Sequence, residues 1–354
     1  MSQTMHSLPK TQTVYRIVEP IGLEGLKKTE EPLSSDIGNN EVLVKIKSVS
    51  LNFRDLLILN GKYSFGIKKS VVPCSDGAGE VVAVGRDVRG LQVGDRVTSN
   101  FGLDHLYGPL TNFEATLGGG TDGTLCQYKV FPQEGLNKLP KDSHLTDDEA
   151  ASLVCTGATA WNALYGSGRP FIAGQSVLVL GTGGLSITTM ILAKAAGAIV
   201  IVTSSSDEKL KYVKETYGAD HTINYKTHPD WEKEVLKATN GEGVDIILET
   251  GGNGTIIQSL TCAKVGGQVN IIGMFTQPEK NPSLVELILG KALTVRGILV
   301  GSKQQFSELS RFVHAKKLRM PIEKVFGFSE QEVNAAFAKL ESQTHIGKTI
   351  IRVD

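Results

Sequence analysis

From about residue 176 onward, short apolar runs alternate with longer segments in which apolar residues recur at helical spacing. The pattern predicts strands over residues 177–180, 199–203, 221–224, 244–249 and 268–273. Helices are predicted between them over residues 184–196, 207–217, 229–239 and 255–264. Strands that are apolar throughout and are joined by helices predict an α/β fold with a parallel sheet covered on both faces.

The first 150 residues follow a different pattern. The segment from Glu41 to Asn52 alternates between apolar and polar residues, and glycine and aspartate separate the short strands that follow. We therefore expect an antiparallel, barrel-like fold. The chain ends with a predicted helix over 304–316 and the strand GKTIIRV, which we expect to return to this first domain. The predicted division is residues 1–150 plus 303–354 for one domain and 151–302 for the other.

Composition and charge favour a small-molecule partner. The 354 residues include 37 Lys plus Arg and 37 Asp plus Glu, so the chain has no general attraction for nucleic acid or an anionic membrane. Residues 176–203 are apolar, but glycines interrupt them and Lys194 lies centrally, which favours a strand-helix-strand unit over a membrane span. Four cysteines without a CxxC pair, and no apolar signal-peptide core, lead us to expect a reducing, cytoplasmic location.

The segment VLVLGTGGLS predicts a phosphate-binding turn between a strand and a helix. Gly181, Gly183 and Ser186 stand at the three small positions of the G-x-G-x-x-G pattern. Glycine lets the backbone approach a pyrophosphate, and the unpaired N–H groups at the helix start, including those of Gly184 and Leu185, attract phosphate. An ordinary strand-to-helix turn is the alternative, and Ser186 is expected to serve packing.

The end of the second predicted strand favours NADP over NAD. NAD enzymes usually carry Asp or Glu about 20 residues after the glycines, where it binds the ribose 2′-hydroxyl. Three serines occupy this strand end instead: Ser204, Ser205 and Ser206. Their hydroxyls, with Lys209 and Tyr225, suit a 2′-phosphate. The alternative is that the serines cap the next helix, with Ser205 and Glu208 forming a capping box.

Eight segments, taken in order, resemble the medium-chain dehydrogenase/reductase superfamily over nearly the whole chain. They are LNFRDLLILNGKY, VPCSDGAGEVVAVGRDVRGLQVGDRV, AASLVCTGATAWNAL, VLVLGTGGLS, GADHTINYK, GVDIILETGG, GGQVNIIG and HIGKTIIRV. The resemblance implies a GroES-like β-barrel catalytic domain built from both chain ends, a Rossmann cofactor domain between them, and an active site in the cleft. It implies that Thr159 and Gly301 border the nicotinamide, and we assign Gly251 and Lys348 to cofactor binding.

The resemblance also indicates a zinc-independent branch. Zinc-dependent members carry Cys where this chain has Asn52, and His-Glu where it has Ser75-Asp76. The third ligand position falls on Cys155, but one thiolate cannot hold a catalytic zinc, which normally takes three protein ligands. The histidines match no metal spacing, and the four cysteines of the structural zinc loop are missing, so no metal is expected.

The quinone reductase branch resembles this chain at LNFRDLLILNGKY, which makes Asn52 and Tyr63 the candidate catalytic residues. Without a metal, the Asn52 amide or the Tyr63 hydroxyl would polarise the substrate carbonyl. The alternatives are an Asx turn for Asn52 and a turn-flanking aromatic for Tyr63. Arg54 and Asp55 are interpreted as a structural ion pair.

The leading functional hypothesis is an NADPH-dependent, metal-free reductase of activated C=C bonds or quinones. An alcohol dehydrogenase acting on C–O bonds is the second hypothesis, and a non-catalytic NADPH-binding sensor is the third. The segment 291–301 is apolar and rich in β-formers, and in the relatives the matching strand pairs across a dimer, so a homodimer is expected.

Overall fold

The computed structural model describes residues 8–33, 36–169, 171–273 and 284–353. Its strands, in chain order, are β1 Thr11–Ile17, β2 Leu26–Pro32, β3 Glu41–Ser50, β4 Asp76–Val84, β5 Arg96–Ser99, β6 Tyr128–Pro132, β7 Leu136–Lys138, β8 Ser176–Leu180, β9 Ile199–Ser204, β10 His221–Asn224, β11 Val244–Glu249, β12 Ala263–Ile271, β13 Thr294–Gly297, β14 Ile322–Phe326 and β15 Lys348–Arg352.

Helices connect most of these strands. In chain order they are α1 Phe53–Leu59, α2 Asp147–Ser152, a π-helical turn Leu153–Gly157, α3 Ala158–Tyr165, α4 Gly184–Ala195, α5 Asp207–Tyr217, α6 Trp231–Ala238, α7 Ile256–Cys262, α8 Leu284–Gly290, α9 Lys303–Ala315 and α10 Glu330–Glu341. Two 3₁₀ turns lie at Leu23–Gly25 and Gln133–Gly135.

The predicted strand-helix alternation is confirmed as a six-stranded parallel sheet. Its strand order is β10-β9-β8-β11-β12-β13, with every neighbouring pair parallel. The order reverses between β8 and β11, and ligands of such sheets bind in the crevice outside the carboxyl ends at this switch point. β12 begins at Ala263 rather than at residue 268, because Ala263 pairs with Val244 of β11.

Alternate residues of β8 face two separate cores. Val177 and Val179 lie in one core with Met190 of α4, whereas Leu178 lies in the opposite core with Val235 of α6. Helices therefore cover both faces of the sheet, and this explains why its strands are apolar throughout rather than alternating.

The two chain ends meet in a second sheet. Its order is β14-β15-β3-β4-β5-β7, with β6 also paired to β3. β15 runs antiparallel to β3, with Ile350 opposite Ser50, so the C-terminal strand returns to the first half of the chain as predicted. β14 and β15 run parallel, unlike the antiparallel pattern expected, because α10 forms the crossover between them. The exact division into two domains stays a prediction.

No helix within the described ranges is both long enough and apolar enough to span a membrane.

Candidate active site

The glycine-rich turn lies at the carboxyl end of β8, beside the switch point. Gly181 has a φ of 79°, a backbone conformation that glycine adopts readily and that residues with a side chain disfavour. A Cβ at Gly181 or Gly183 would meet no atom within 4 Å, so the surface above both glycines is open. Ser186 donates from Oγ to the Leu180 carbonyl at 2.7 Å, which ties the helix start to the strand end and gives this serine a packing role.

Lys348 of β15 joins this turn to the second sheet. A Cβ on Gly184 would lie 2.3 Å from Lys348 Cδ, so glycine at this position lets the lysine side chain pass. The Gly347 N–H donates to the Thr182 carbonyl at 3.2 Å. The buried Lys348 Nζ donates to the Leu51 carbonyl and to Asn52 Oδ1, both at 2.6 Å. One side chain therefore spans from the glycine turn to Asn52.

Asn52 precedes helix α1 and has a fixed amide orientation. Its backbone N–H donates to Asp55 Oδ2 at 2.8 Å, an interaction that anchors the helix start. Because Oδ1 accepts from the Lys348 ammonium, the amide presents Nδ2 on its other side. Nδ2 is buried and makes no direct hydrogen bond, although the amide is near enough to Asp76 to favour its ionised form.

Two buried carboxyls and a thiol surround Asn52. Asp76 Oδ1 accepts from Ser75 Oγ at 2.6 Å, and Oδ2 accepts from the Cys155 N–H in the π-helical turn at 3.1 Å. Burial raises the pKa of Asp76, and it raises the pKa of Asp55 from its ordinary 3.8 to about 6. Burial also raises the pKa of Cys155 to about 12, so this thiol stays protonated at neutral pH.

Tyr63 belongs to an aromatic group next to Arg54. The Arg54 guanidinium carbon lies 4.9 Å from the Tyr63 ring centre, and Arg54 Nη1 lies 3.6 Å from Asp55 Oδ1. The Tyr63 ring packs edge-on against Phe65, which stacks on Phe113 with ring centres 4.6 Å apart. Tyr63, Phe65 and Phe113 each keep part of their surface exposed.

The serines at the end of β9 do not all play the same part. Ser204 is buried, and its Oγ accepts from the Ser206 N–H at 3.3 Å. Ser206 caps α5 by accepting from the Lys209 N–H, so the predicted capping box of Ser205 with Glu208 is wrong by one residue. Ser205 keeps part of its surface exposed.

Lys209 and Tyr225, the two side chains predicted to join these serines around a 2′-phosphate, have different surroundings. Lys209 Nζ donates to the backbone carbonyls of Gln343 at 3.2 Å and of His345 at 3.4 Å. Burial lowers its pKa. Tyr225 is exposed after β10. Asp207, the nearest carboxylate along the chain, accepts from Asn224 Nδ2 at 2.8 Å.

The remaining predicted residues lie at strand ends and on α3. Thr159 is buried on α3, directly after the π-helical turn that carries Cys155. A Cβ on Gly301 would lie 2.6 Å from the Ala158 carbonyl, so glycine allows close packing on this helix. A Cβ on Gly251, after β11, would lie 2.3 Å from Thr255 Oγ1.

Glu249 is a buried acid beside the crevice that the sequence did not single out. It is fully buried at the end of β11, and Oε1 accepts from the N–H groups of Gly251 at 2.7 Å and Gly252 at 2.8 Å. Ser259 Oγ donates to the other oxygen, Oε2. An acid that directly follows the apolar run Ile246–Leu248 at the end of the strand was the available signal. Glu249 fixes the turn that borders the crevice.

Comparisons with known proteins cover both sheets. Residues 38–141 match the alcohol dehydrogenase GroES-like domain, and residues 184–315 match the zinc-binding dehydrogenase family. A zinc-type alcohol dehydrogenase-like protein of Schizosaccharomyces pombe is 42% identical over 94% of this chain and 96% of its own length. A quinone oxidoreductase-like protein 2 homolog of Nematostella vectensis is 29% identical over 99% of this chain and 92% of its own length.

A solved structure agrees with these relatives. A crystal structure described as an alcohol dehydrogenase of Sinorhizobium meliloti superposes with a TM-score of 0.88 and 35% identity, over 98% of this chain and 100% of that one. This chain belongs to the medium-chain dehydrogenase/reductase superfamily. The resemblance predicted from the eight segments is confirmed, as are the GroES-like and Rossmann-like sheets. The chain is an oxidoreductase of this superfamily, whose members bind a nicotinamide cofactor.

The residues present fit such a cofactor but fit zinc poorly. The open surface over Gly181 and Gly183, in front of the first turn of α4, suits a pyrophosphate. At the position expected for zinc, by contrast, Cys155 has no histidine or second cysteine beside it in the expected ligand set, and the Lys348 ammonium lies against Asn52. Across the ranges that the structure describes, no three His, Cys, Asp or Glu side chains form a group that suits a metal ion.

In this dehydrogenase/reductase, the structure brings some of the sequence-predicted site residues into contact and gives others partners that were not expected. Asn52, Lys348 and the glycine turn are brought together by direct contacts. Lys348 was assigned to the cofactor, but its ammonium is directed to Asn52 and Leu51. Lys209 likewise binds backbone carbonyls. The assignment of all these residues to cofactor binding or catalysis stays a prediction.

We predict that Asp55→Asn changes how stability depends on pH. A carboxyl whose pKa is raised on folding binds its proton more tightly in the folded state, so its contribution to stability falls as pH rises from about 4 to about 6. Asparagine keeps an oxygen for the Asn52 N–H but cannot titrate. Urea unfolding should show that the free energy of unfolding falls less over this interval in the variant than in the wild type.

Asp87→Asn, at an exposed carboxylate, is the control for this experiment and should keep the wild-type pH profile. Parallel profiles for the wild type and Asp55→Asn would show that burial does not perturb Asp55.

Proposed function

We propose that this protein is an NADPH-dependent, zinc-independent reductase of activated C=C bonds or quinones. The observation that carries the proposal is the Asn52 amide: Lys348 fixes its oxygen, while its buried Nδ2 makes no direct hydrogen bond and lies near the Asp76 carboxyl. A buried donor without an acceptor is costly, and a substrate carbonyl oxygen would remove that cost. The same lysine packs on Gly184, which places the donor next to the proposed cofactor turn.

The chain's own residues supply binding, orientation and polarisation in this proposal. The dihydronicotinamide supplies the hydride when bound. Gly181, Gly183 and the start of α4 hold the pyrophosphate, and Thr159 and Gly301 border the nicotinamide. Asn52 Nδ2 donates to the carbonyl oxygen as negative charge develops there, with the Tyr63 hydroxyl as a second donor. A proton from water completes the reduction.

NADP rather than NAD is proposed from the end of β9. Hydroxyl groups and Lys209 lie at this end, and the exposed Tyr225 follows the neighbouring strand. The nearest carboxylate, Asp207, begins α5 beyond the strand end and is bound by Asn224. A ribose 2′-phosphate would meet donors in this surface rather than a repelling charge.

An alcohol dehydrogenase acting on C–O bonds is the alternative, which the zinc-type and alcohol dehydrogenase names of the similar proteins favour. Stoichiometric zinc in the purified protein together with oxidation of alcohols would support it. Tight NADPH binding without turnover on a broad panel of enones, quinones and aldehydes would instead indicate a sensor.

We further propose a homodimer in the cytoplasm. β13 forms one edge of the six-stranded sheet, and the neighbouring helix α8 exposes Val285 and Leu289 by more than two thirds of their surface. Such apolar side chains, next to a sheet edge that pairs with no further strand among the described residues, suit a second copy of this chain. Sedimentation showing only a monomer would reject the dimer. The cysteines of the described ranges are all free thiols, in keeping with a reducing compartment.

Asn52→Ala is expected to lower kcat for enone or quinone reduction by about 10²–10³-fold, the usual effect of removing one oxyanion donor. NADPH affinity, measured by the change in its fluorescence on binding, should stay within about threefold because Asn52 is assigned to the substrate. Asn39→Ala, at an exposed position, is the control. An unchanged kcat in Asn52→Ala would remove Asn52 from the mechanism.

Ser205→Asp is expected to reduce the preference for NADPH over NADH by at least about tenfold in kcat/KM, because a carboxylate at the strand end repels a 2′-phosphate and binds a 2′-hydroxyl. Steady-state kinetics with both cofactors measures this ratio. Ser307→Asp, on the exposed side of α9, adds the same charge elsewhere and should leave the ratio unchanged. A wild-type enzyme that prefers NADH would contradict the cofactor proposal.

A further inference from the structure

Arg54 of helix α1 is a buried cation with only part of its hydrogen-bonding capacity used. Its side chain is 10% exposed, and Nη1 donates to the Leu117 carbonyl at 2.9 Å. Nε and Nη2 are buried and make no direct hydrogen bond, although the Tyr63 hydroxyl lies near enough to the guanidinium to help raise the pKa of Arg54. Guanidinium groups are always charged in proteins, so these two N–H donors carry part of a full positive charge.

The guanidinium is held in one orientation by its surroundings. The Tyr63 and Phe101 ring centres lie 4.9 Å and 4.7 Å from its central carbon, distances typical of cation–π contacts. Asp55 Oδ1 lies 3.6 Å from Nη1. The Leu117 carbonyl and the Asp55 carboxylate therefore both approach Nη1. Neither of them bonds to the side of the guanidinium that Nε and Nη2 form.

Nε and Nη2 form one straight edge of the guanidinium group. The two N–H groups on this edge are parallel, and this fork matches the two oxygens of a carboxylate better than a single carbonyl oxygen. Leaving both donors unpaired in a buried site costs several times the net value of an ordinary hydrogen bond. The arrangement therefore indicates a planar, anionic acceptor.

Gly119 packs against the fork without a side chain. A Cβ at this position would lie 2.7 Å from Nη2, so the glycine backbone lies beside this nitrogen and any side chain would displace it. No other residue type lacks a Cβ at this point. Glycine at this position therefore lets Arg54 keep the orientation in which Nε and Nη2 stay unpaired.

The fork lies beside the proposed reaction site. Arg54 is two residues after Asn52, it contacts Tyr63, and it is close enough to Cys155 to interact electrostatically. The half-exposed rings of Phe65 and Phe113 continue from Tyr63. A single bound molecule can therefore place one oxygen at the Asn52 amide and another at Arg54.

We propose that Arg54 binds a carboxylate of the substrate through Nε and Nη2, so that the preferred substrate is an enone or quinone that also carries a carboxylate. The assignment rests on the proposed reductase function and narrows its substrate class. For an enone, hydride from bound NADPH would add to the β-carbon, the C=C pair would shift to the bond between the α-carbon and the carbonyl carbon, and the C=O pair would move onto the oxygen beside Asn52. A proton from water would then add to the α-carbon as the C=O bond re-forms; for a quinone, the protons would add to the oxygens and give the hydroquinone. The carboxylate takes no part in the bond changes.

The test compares β-acetylacrylate with its methyl ester, which share the enone and differ in charge. We expect the wild-type kcat/KM to be at least about tenfold higher for the acid, the factor expected for a charge-assisted hydrogen bond. Arg54→Met should remove this preference, because kcat/KM should fall at least about tenfold more for the acid than for the ester. Arg54→Lys keeps the charge without the fork and should restore the preference only in part.

Gly119→Ala is the second variant, because it leaves the charge in place and puts a methyl group in front of Nη2. It should lose the acid preference while its unfolding temperature shows that the protein is folded. The ester serves as the internal control for each variant. Equal kcat/KM for acid and ester in the wild type would overturn the proposal, and so would an equal loss of both in Arg54→Met. In either case Nε and Nη2 would bind water rather than a substrate carboxylate.

Failure of the proposed function has a different signature. If neither compound is reduced, the reductase proposal fails, and the Arg54 assignment is then decided by calorimetric titration of the NADP⁺-loaded protein with saturated levulinate and its methyl ester. Binding of levulinate that Arg54→Met and Gly119→Ala weaken about tenfold supports the fork. Equal affinity for levulinate and its ester refutes it.

Discussion

The Lys348 ammonium donates to Leu51 and Asn52 while its aliphatic chain packs on Gly184. Lys348 begins β15, and the partners lie about 300 residues earlier and at the first turn of α4. A buried ammonium needs acceptors, and the Leu51 carbonyl and the amide oxygen meet that need. The lysine thereby fixes the orientation of the Asn52 amide and connects the two sheets. With its oxygen bound to Lys348, Asn52 can offer only its Nδ2 group to a bound molecule.

The charge around this lysine explains the chemistry that the site supports. Arg54 and Lys348 are balanced by Asp55 and Asp76, and burial pushes both carboxyl pKa values upward. In such surroundings hydrogen-bond donors act more strongly than in water, which suits the polarising role that we propose for the Asn52 amide. The Lys348 ammonium beside Asn52 suits this arrangement better than it suits zinc.

The fold was largely predictable because it rests on periodic burial. The apolar strands β8 to β11 and the turn from Gly181 to Gly184 are local patterns, and the structure contains them as predicted. The contact of Lys348 with Asn52, the unpaired edge of Arg54 and the buried Glu249 were not predictable, since each depends on residues that only the tertiary fold brings together. Local rules also misplaced the α5 cap, because Ser205 and Ser206 both have suitable side chains.

The most direct measurement is a double-mutant cycle of Asn52→Ala and Lys348→Met on kcat for enone reduction, with NADPH affinity measured in parallel. If Lys348 acts through the amide, each single variant lowers kcat to a similar extent, and the double variant is no slower than the slower single variant. If the two losses multiply, or if Lys348→Met weakens NADPH binding without lowering kcat, Lys348 serves the cofactor and the account of the site is wrong.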